Sequence, residues 1–386
     1  MKRIGWAAVV LALIIGMLPP KASAVDLKVA GKSALLMDVA TGTVLYESNS
    51  HERLAPASVT KVMTMLLIME AIDSGKIGWD DTVTASEAAA AKGGSQIYLK
   101  VGETMSVTDM LKSIAVSSAN DCACAMAEHI AGSEAAFVDM MNARAAELGM
   151  DDTHFVNCTG LDDGENASEH RTSAYDIALM SRELLKNHPD ICKFTTIWMD
   201  TVRGGTFGLS NTNKLIRFYS GATGLKTGYT SGAGYCLSAT ALRDGLELIA
   251  VVMGAATSAE RNAACKSLLD YGFANYALVS AEEPDAAVPV TLGKADSVKA
   301  VPAETTQFLI DKAQRSQVTT EVTLDESIEA PVSKGARLGT LTVKAGDQIL
   351  AEIPMVAAEP VEKKTFGDLF RLIFSRIASA QSGGAR

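Results

Sequence analysis

Ser58-Val59-Thr60-Lys61-Val62-Met63-Thr64-Met65-Leu66-Leu67-Ile68-Met69-Glu70-Ala71-Ile72 is the stretch on which the reading of this chain turns. From Val59 to Ile72 the residues favour a helix and are apolar on almost every face. Such a helix has no side to offer water, so it belongs at the centre of a domain. Its first turn nevertheless carries Ser58 and Lys61. Residues at i and i+3 share a helix face, with Cβ atoms about 5–6 Å apart, so the lysine can reach the hydroxyl. A cation there is opposed by burial and by the positive end of the helix. Both favour a neutral Lys61, able to take the proton whose loss makes Ser58 a nucleophile. The plainer alternative is Ser58 as an N-cap beside an unrelated lysine.

Outward from this helix the chain divides into regions of different texture. Upstream, Ser33 to Asp38 and Thr43 to Glu47 read as an antiparallel hairpin turned by Ala40-Thr41-Gly42. Downstream come helical stretches at Val107 to Ile114, Ala119 to Ala131, Ala135 to Leu148 and Ser173 to Lys186. Tyr235 to Leu242 and Leu246 to Met253 read as strands around Arg243-Asp244-Gly245, and a helix from Glu260 to Tyr276 closes the region. Near residue 278 short alternating runs take over, as in Val288 to Thr291, Thr319 to Leu324 and Leu338 to Val343. This predicts a small all-β domain over 278–360 after a main domain over 25–277.

The whole chain has 386 residues, 48% of them hydrophobic, and a formal net charge of −10. That composition is globular and offers no basic field for nucleic acid. No apolar run reaches the roughly 18 residues of a spanning helix, which excludes a multi-pass membrane protein. Residues 1–24 read as a cleaved export signal: Lys2 and Arg3, an apolar run from Ile4 to Leu18, then Ala22-Ser23-Ala24. The six cysteines (Cys122, Cys124, Cys158, Cys192, Cys236, Cys265) show no paired framework and read mainly as small buried hydrophobes, with one or two disulfides as the alternative. No histidine sits at metal-ligand spacing to them.

Two further motifs accompany Ser58 and Lys61. In Ser118-Ala119-Asn120, Ser118 can relay a proton and Asn120 can hydrogen-bond an amide; an N-cap is the alternative. In Lys226-Thr227-Gly228, the cation and hydroxyl can bind a carboxylate, and glycine lets another backbone approach closely; a turn is the alternative. Like charges in one cleft resist double protonation, which predicts a charged Lys226 beside a neutral Lys61.

A serine–lysine pair, a Ser-x-Asn and a Lys-Thr-Gly in this order mark β-lactamases and penicillin-binding proteins. The surrounding phrases sharpen the match. Ala55-Pro56-Ala57-Ser58-Val59-Thr60-Lys61, Ser117-Ser118-Ala119-Asn120-Asp121, Phe155-Val156-Asn157-Cys158-Thr159-Gly160-Leu161, His170 with Thr172 to Asp176, and Gly224-Leu225-Lys226-Thr227-Gly228 resemble the secreted D-alanyl-D-alanine carboxypeptidases among the low-molecular-mass penicillin-binding proteins. Members often have Pro where Cys158 stands and Gly where Ala119 stands. The likeness runs from about Lys28 to Tyr276.

The resemblance implies an α+β fold: a transpeptidase-like domain with a five-stranded antiparallel sheet, flanking helices and a helical subdomain, then the small β domain. It implies acyl transfer without metal or cofactor on a peptidoglycan pentapeptide, with β-lactams as covalent inhibitors. Ser58 attacks, Lys61 is the base, Ser118 passes the proton on, and Asn120 holds the substrate amide. Lys226, Thr227 and Gly228 receive the substrate's end, and the N–H groups of Ser58 and Tyr229 form the oxyanion hole. A class A β-lactamase is the first rival, with Glu183 to Asn187 matching its Glu-x-x-x-Asn pattern. A non-catalytic wall-binding module is the second.

The C-terminus adds a membrane expectation. Phe366, Leu369, Phe370, Ile373, Phe374 and Ile377 recur at helical spacing, and residues 361–386 hold five basic and two acidic residues. A short basic amphipathic helix over 363–377 lies in the headgroup plane. It would hold the exported enzyme on the outer face of the cytoplasmic membrane, within the cell envelope.

Overall fold

The computed structural model describes Leu27 and residues 29–163, 166–281, 284–304 and 306–371. The expected export signal at 1–24 and the tail from residue 372 lie outside these residues. Two compact units compose the chain. The first takes residues up to Met37, Val44–Ala241 and Leu248–Asp270; the second takes Asp38–Thr43, Leu242–Glu247 and everything from Tyr271.

The first unit is built on a five-stranded sheet. Its strands are β1 (Ser33–Asp38), β2 (Val44–Ser48), β3 (Ala222–Thr230), β4 (Gly234–Arg243) and β5 (Leu246–Ala255), in spatial order β2-β1-β5-β4-β3. The pairs β1–β2 and β3–β4 are antiparallel. Leu248 to Met253 are all buried, as a central strand covered on both faces requires. The Lys-Thr-Gly motif lies inside β3 and not in a turn, with Gly228 opposite Cys236. That places it at the outer edge of the sheet, where a strand keeps one row of backbone groups unpaired.

The apolar stretch forms helix α1 (Lys61–Asp73), with Val62, Met63, Met65, Leu66, Ile68 and Met69 fully buried. The helix starts two residues later than its composition suggests. Ala57–Thr60 is a 3₁₀ turn, Ala57 stands at φ 48°, and the Thr60 hydroxyl donates back to the Ala57 carbonyl at 2.8 Å. In 3₁₀ geometry residues i and i+3 eclipse, which stacks Lys61 over Ser58.

Around α1 stand α2 (Val107–Ser117), α3 (Asn120–Ala131), α4 (Glu134–Glu147) and α5 (Ala174–Asn187). Serines begin three of them: Ser106, Ser133 and Ser173 each accept a backbone N–H from three residues on. The last helix of the region, α6 (Ser258–Asn275), follows β5.

The second unit contains a six-stranded sheet in the order Val318–Leu324, Arg337–Ala345, Gln348–Ala357, Ser297–Pro302, Ala286–Thr291, Ile328–Glu329. A separate pair joins Tyr276–Ser280 to Gln307–Asp311. Val288, Val298, Ala300, Leu338, Leu341, Val343 and Met355 form its core from alternate positions of facing strands. After this sheet a helical turn begins at Phe366, capped reciprocally by Thr365 and Asp368. The rings of Phe366 and Phe370 stack at 6.3 Å and both are exposed. No helix among the described residues is long and apolar enough to cross a membrane.

Candidate active site

Lys61 is fully buried, yet its Nζ has two partners. It donates to Ser58 Oγ at 2.9 Å and to the Thr159 carbonyl at 2.8 Å. Thr159 is held in place by Asn157, whose Oδ1 accepts from the backbone N–H groups of Thr159 and Gly160 and from the Thr159 hydroxyl. Gly160 has no room for a side chain: a Cβ would fall 1.8 Å from the Ala57 oxygen. The turn that carries the nucleophile is also braced by His170. Its Nδ1 accepts the Val156 N–H at 3.1 Å, which leaves Nε2–H to donate to the Thr60 hydroxyl at 2.8 Å. Burial, then the nearby His154 and Arg171, push His170 down to about 4, so the ring is neutral as this bonding requires.

Ser118 is not an N-cap. It ends α2 in the left-handed region at φ 62°, and its buried hydroxyl has no partner among the described residues. Asn120 opens α3. Its backbone N–H donates to the Ser95 carbonyl and its Nδ2 to the Gly93 carbonyl, both at 2.7 Å, while Oδ1 is buried and unpartnered. Asp121 accepts the N–H groups of Ile97 and Leu99 and so fixes the loop that supplies those carbonyls. Helices α1 and α3 pack together.

Strand β3 closes the site from the other side. A Cβ on Gly228 would lie 2.6 Å from the Pro56 oxygen and 3.0 Å from the Ser58 nitrogen, so only glycine lets the strand come this close. The Thr227 hydroxyl donates to the Thr212 hydroxyl at 2.7 Å, and Thr212 N–H donates to the Val116 carbonyl in α2, two residues before Ser118. The buried Lys226 Nζ donates to the Thr227 carbonyl at 2.9 Å. Tyr229 is 56% exposed, its ring 4.3 Å from that of Tyr235. The three motifs thus converge: Ser58 against Gly228, and Thr227 through Thr212 to the end of α2.

Burial, opposed by Cys158 and Asp121, pushes Lys61 down to about 7. Lys226 is driven well below its ordinary range, by burial first and then by Lys61 and the buried Arg261. The expected standing charge on Lys226 is thus opposed by its surroundings. Among the described residues its Nζ has the Thr227 carbonyl as partner and no carboxylate.

Composition gave no hint of Thr159, Gly93 and Ser95, because they act through backbone carbonyls. Nothing in the type or spacing of Thr212 and Arg261 marks them either. Arg261 lies over the Tyr235 ring, 5.8 Å from its centroid, and is close enough to depress Lys226. Glu183, the lactamase candidate, is taken up elsewhere: it accepts from Arg144 Nη2 at 2.6 Å, while Arg144 Nε bonds Glu70. All six cysteines are thiols, and five are buried.

Comparison with known proteins agrees with this geometry. The family described as D-alanyl-D-alanine carboxypeptidase matches residues 20–257, and the C-terminal domain of penicillin-binding protein 5 matches residues 273–363. The D-alanyl-D-alanine carboxypeptidase DacF of Bacillus subtilis is 48% identical over 342 residues, 87% of each chain. Its counterpart DacA of Escherichia coli is 32% identical, covering 90% of this chain and 88% of that one. Among solved structures, penicillin-binding protein 5 of Haemophilus influenzae superposes with a TM-score of 0.74 at 30% identity, over 88% of this chain and 99% of that one. Penicillin-binding protein D2 of Listeria monocytogenes, solved with ampicillin bound, gives 0.56 at 32% identity over 64% of this chain and all of that one.

Proposed function

The chain belongs to the D-alanyl-D-alanine carboxypeptidase family, and we propose that it carries out that reaction through Ser58. It is a serine-type, penicillin-binding carboxypeptidase of the cell envelope. Its substrate is the peptidoglycan stem peptide ending in D-Ala-D-Ala.

In the proposed reaction Lys61 Nζ takes the Ser58 proton as Ser58 Oγ attacks the carbonyl between the two D-alanines. Charge developing on that oxygen falls to the N–H groups of Ser58 and Tyr229, and losing one such donor costs about 10²–10³ in rate. Asn120 holds the substrate amide. Ser118 hands the proton to the departing D-alanine amine, and water then hydrolyses the ester on Ser58. Lys226 and Thr227 hold the terminal carboxylate, whose negative charge offsets the burial that depresses Lys226. Thr227 then turns its hydroxyl from Thr212 to the carboxylate. One observation carries the assignment: the fully buried Lys61 Nζ lies 2.9 Å from Ser58 Oγ, with its proton affinity lowered to about neutrality.

Residues 1–24 are proposed to direct export. Residues 278–360 are proposed to form a stand-off that contributes no motif residue. Residues 363–377 are proposed to lie on the outer face of the cytoplasmic membrane; the exposed Phe366 and Phe370 support this. Intact-mass analysis after exposure to a penicillin tests the core of the proposal. Ser58→Ala should lose both labelling and peptide turnover with an unchanged melting temperature. A label on any other residue would overturn it.

A further inference from the structure

Behind the catalytic groups, two loops from distant parts of the sequence meet at a single ion pair. Lys92 Nζ donates to Glu134 Oε2 at 2.5 Å. Glu134 is the first residue of α4, where the helix N-terminus favours a carboxylate. Its other oxygen, Oε1, accepts the Cys158 N–H at 3.3 Å and the Cys158 thiol at 3.2 Å. Lys92 precedes Gly93, whose carbonyl accepts from Asn120; Cys158 precedes Thr159, whose carbonyl accepts from Lys61. The pair therefore joins, one residue away on each side, the two carbonyls that hold the proposed base and the proposed amide-binding residue.

Each loop is also tied to neighbouring helices, the first through Asn120 and Asp121 of α3 and the second through Thr64 of α1 and Asn142 of α4, while the ion pair links one loop to the other. A cavity of about 460 Å³ lies between them, lined by Ala91, Lys92, Gly93, Val156, Asn157 and Thr159 among others. They also approach where Leu161 lies over Gly94. The charges are firmly held. Burial opposes both, but the hydrogen bond and charge of Glu134 raise Lys92, and Lys92 with the Cys158 donors lowers Glu134. The connection also accounts for Cys158. With a cysteine at this position the backbone keeps an N–H, and that N–H and the thiol both donate to the carboxylate; proline would supply neither.

We propose that Lys92 and Glu134 are positioning residues for acylation, their ion pair fixing the separation of the loops that hold Asn120 and Lys61. This rests on the assignment of Ser58 and Lys61 given above. A misplacement of about 1 Å can cost roughly 100-fold in rate, so Lys92→Met and Glu134→Gln should each slow acylation by a penicillin about 10- to 100-fold. Lys92→Arg keeps the cation and should stay within a few-fold of wild type.

The decisive protein is the double variant Lys92→Met/Glu134→Gln, which leaves no unpaired charge. Its melting temperature should return towards wild type while its acylation stays as slow as in the single variants. If the double variant regains both, or if the single variants acylate within twofold of wild type, the positioning role is wrong. Should the single variants fail to fold, Lys92→Arg against the double variant decides alone. Ser58→Ala is run alongside. If it is still labelled, the reading of the site falls and the positioning role with it. If it is silent while Lys92→Met is normal, only the positioning role falls.

Discussion

Gly228 and Ser58 touch through their backbones: a Cβ on the glycine would stand 3.0 Å from the serine nitrogen and 2.6 Å from the Pro56 oxygen. Backbone cannot yield as a flexible side chain can. Gly228→Ala should therefore push β3 away from the nucleophile and separate the N–H of Tyr229 from that of Ser58. Acylation should fall by about 10²–10³, the typical cost of one oxyanion donor. A stopped-flow rate within tenfold of wild type would exclude that placement of the oxyanion.

The acylation rate should follow the charge on Lys61. Its folded value is about 7, so the base is lost as pH falls through neutrality and fully present about two units above. The acidic limb of the second-order acylation rate should bend near pH 7. Lys61→Arg should abolish acylation, because a guanidinium cannot give up its proton. Lys226→Arg should keep part of it. An acidic limb centred far below 6 would point to another base.

His170 should make the fold sensitive to acid. Its folded value is lowered to about 4, so the unfolded chain binds the proton first, and stability is lost as pH falls from about 6.5 towards 4. The loss across that range is on the order of 3 kcal/mol, because each pH unit between the unfolded and folded values is worth about 1.4 kcal/mol. His170→Gln should be less stable at pH 7 and lose less between pH 6.5 and 4. Urea titrations at several pH values check this; parallel curves for the two proteins would contradict it.

Membrane attachment predicts a difference between the chain from residue 25 to its end and one ending at Glu359. The longer chain should sediment with vesicles containing anionic lipid, and more weakly at high salt, since each basic residue near such a surface adds about 1 kcal/mol. Equal sedimentation of the two would remove the anchor.

How far the sequence exposed the molecule depended on what carried each feature. Side chains at fixed short spacing were legible. Ser58 and Lys61 stand one turn apart, and an all-round apolar helix can lie only in a core. Four strands of the sheet were legible from their residues and from the hairpin at Arg243-Asp244-Gly245, whereas β3, the strand that carries Lys-Thr-Gly, was not, and the count of five rested on the family resemblance. The start of α1 was not legible, because a 3₁₀ turn has no composition of its own and follows from Ala57 at positive φ. Nor were the carbonyls of Gly93 and Thr159, since every residue has one. Lys92 and Glu134 are 42 residues apart on a surface rich in charge, and nothing local marks them as partners. The depth at which Lys226 sits was not legible either, because type and motif reveal the charge a lysine usually carries and not its burial.

The unmatched Ser118 hydroxyl and Asn120 Oδ1 have a consequence for evolvability. Two polar atoms are kept out of water without a partner among the described residues, each at a cost of about 1–3 kcal/mol to the resting fold. Ser118→Ala should thus raise the melting temperature of the resting protein while impairing turnover. Selection for heat resistance alone would drift towards that inert variant, so the serine persists only while its chemistry is in demand.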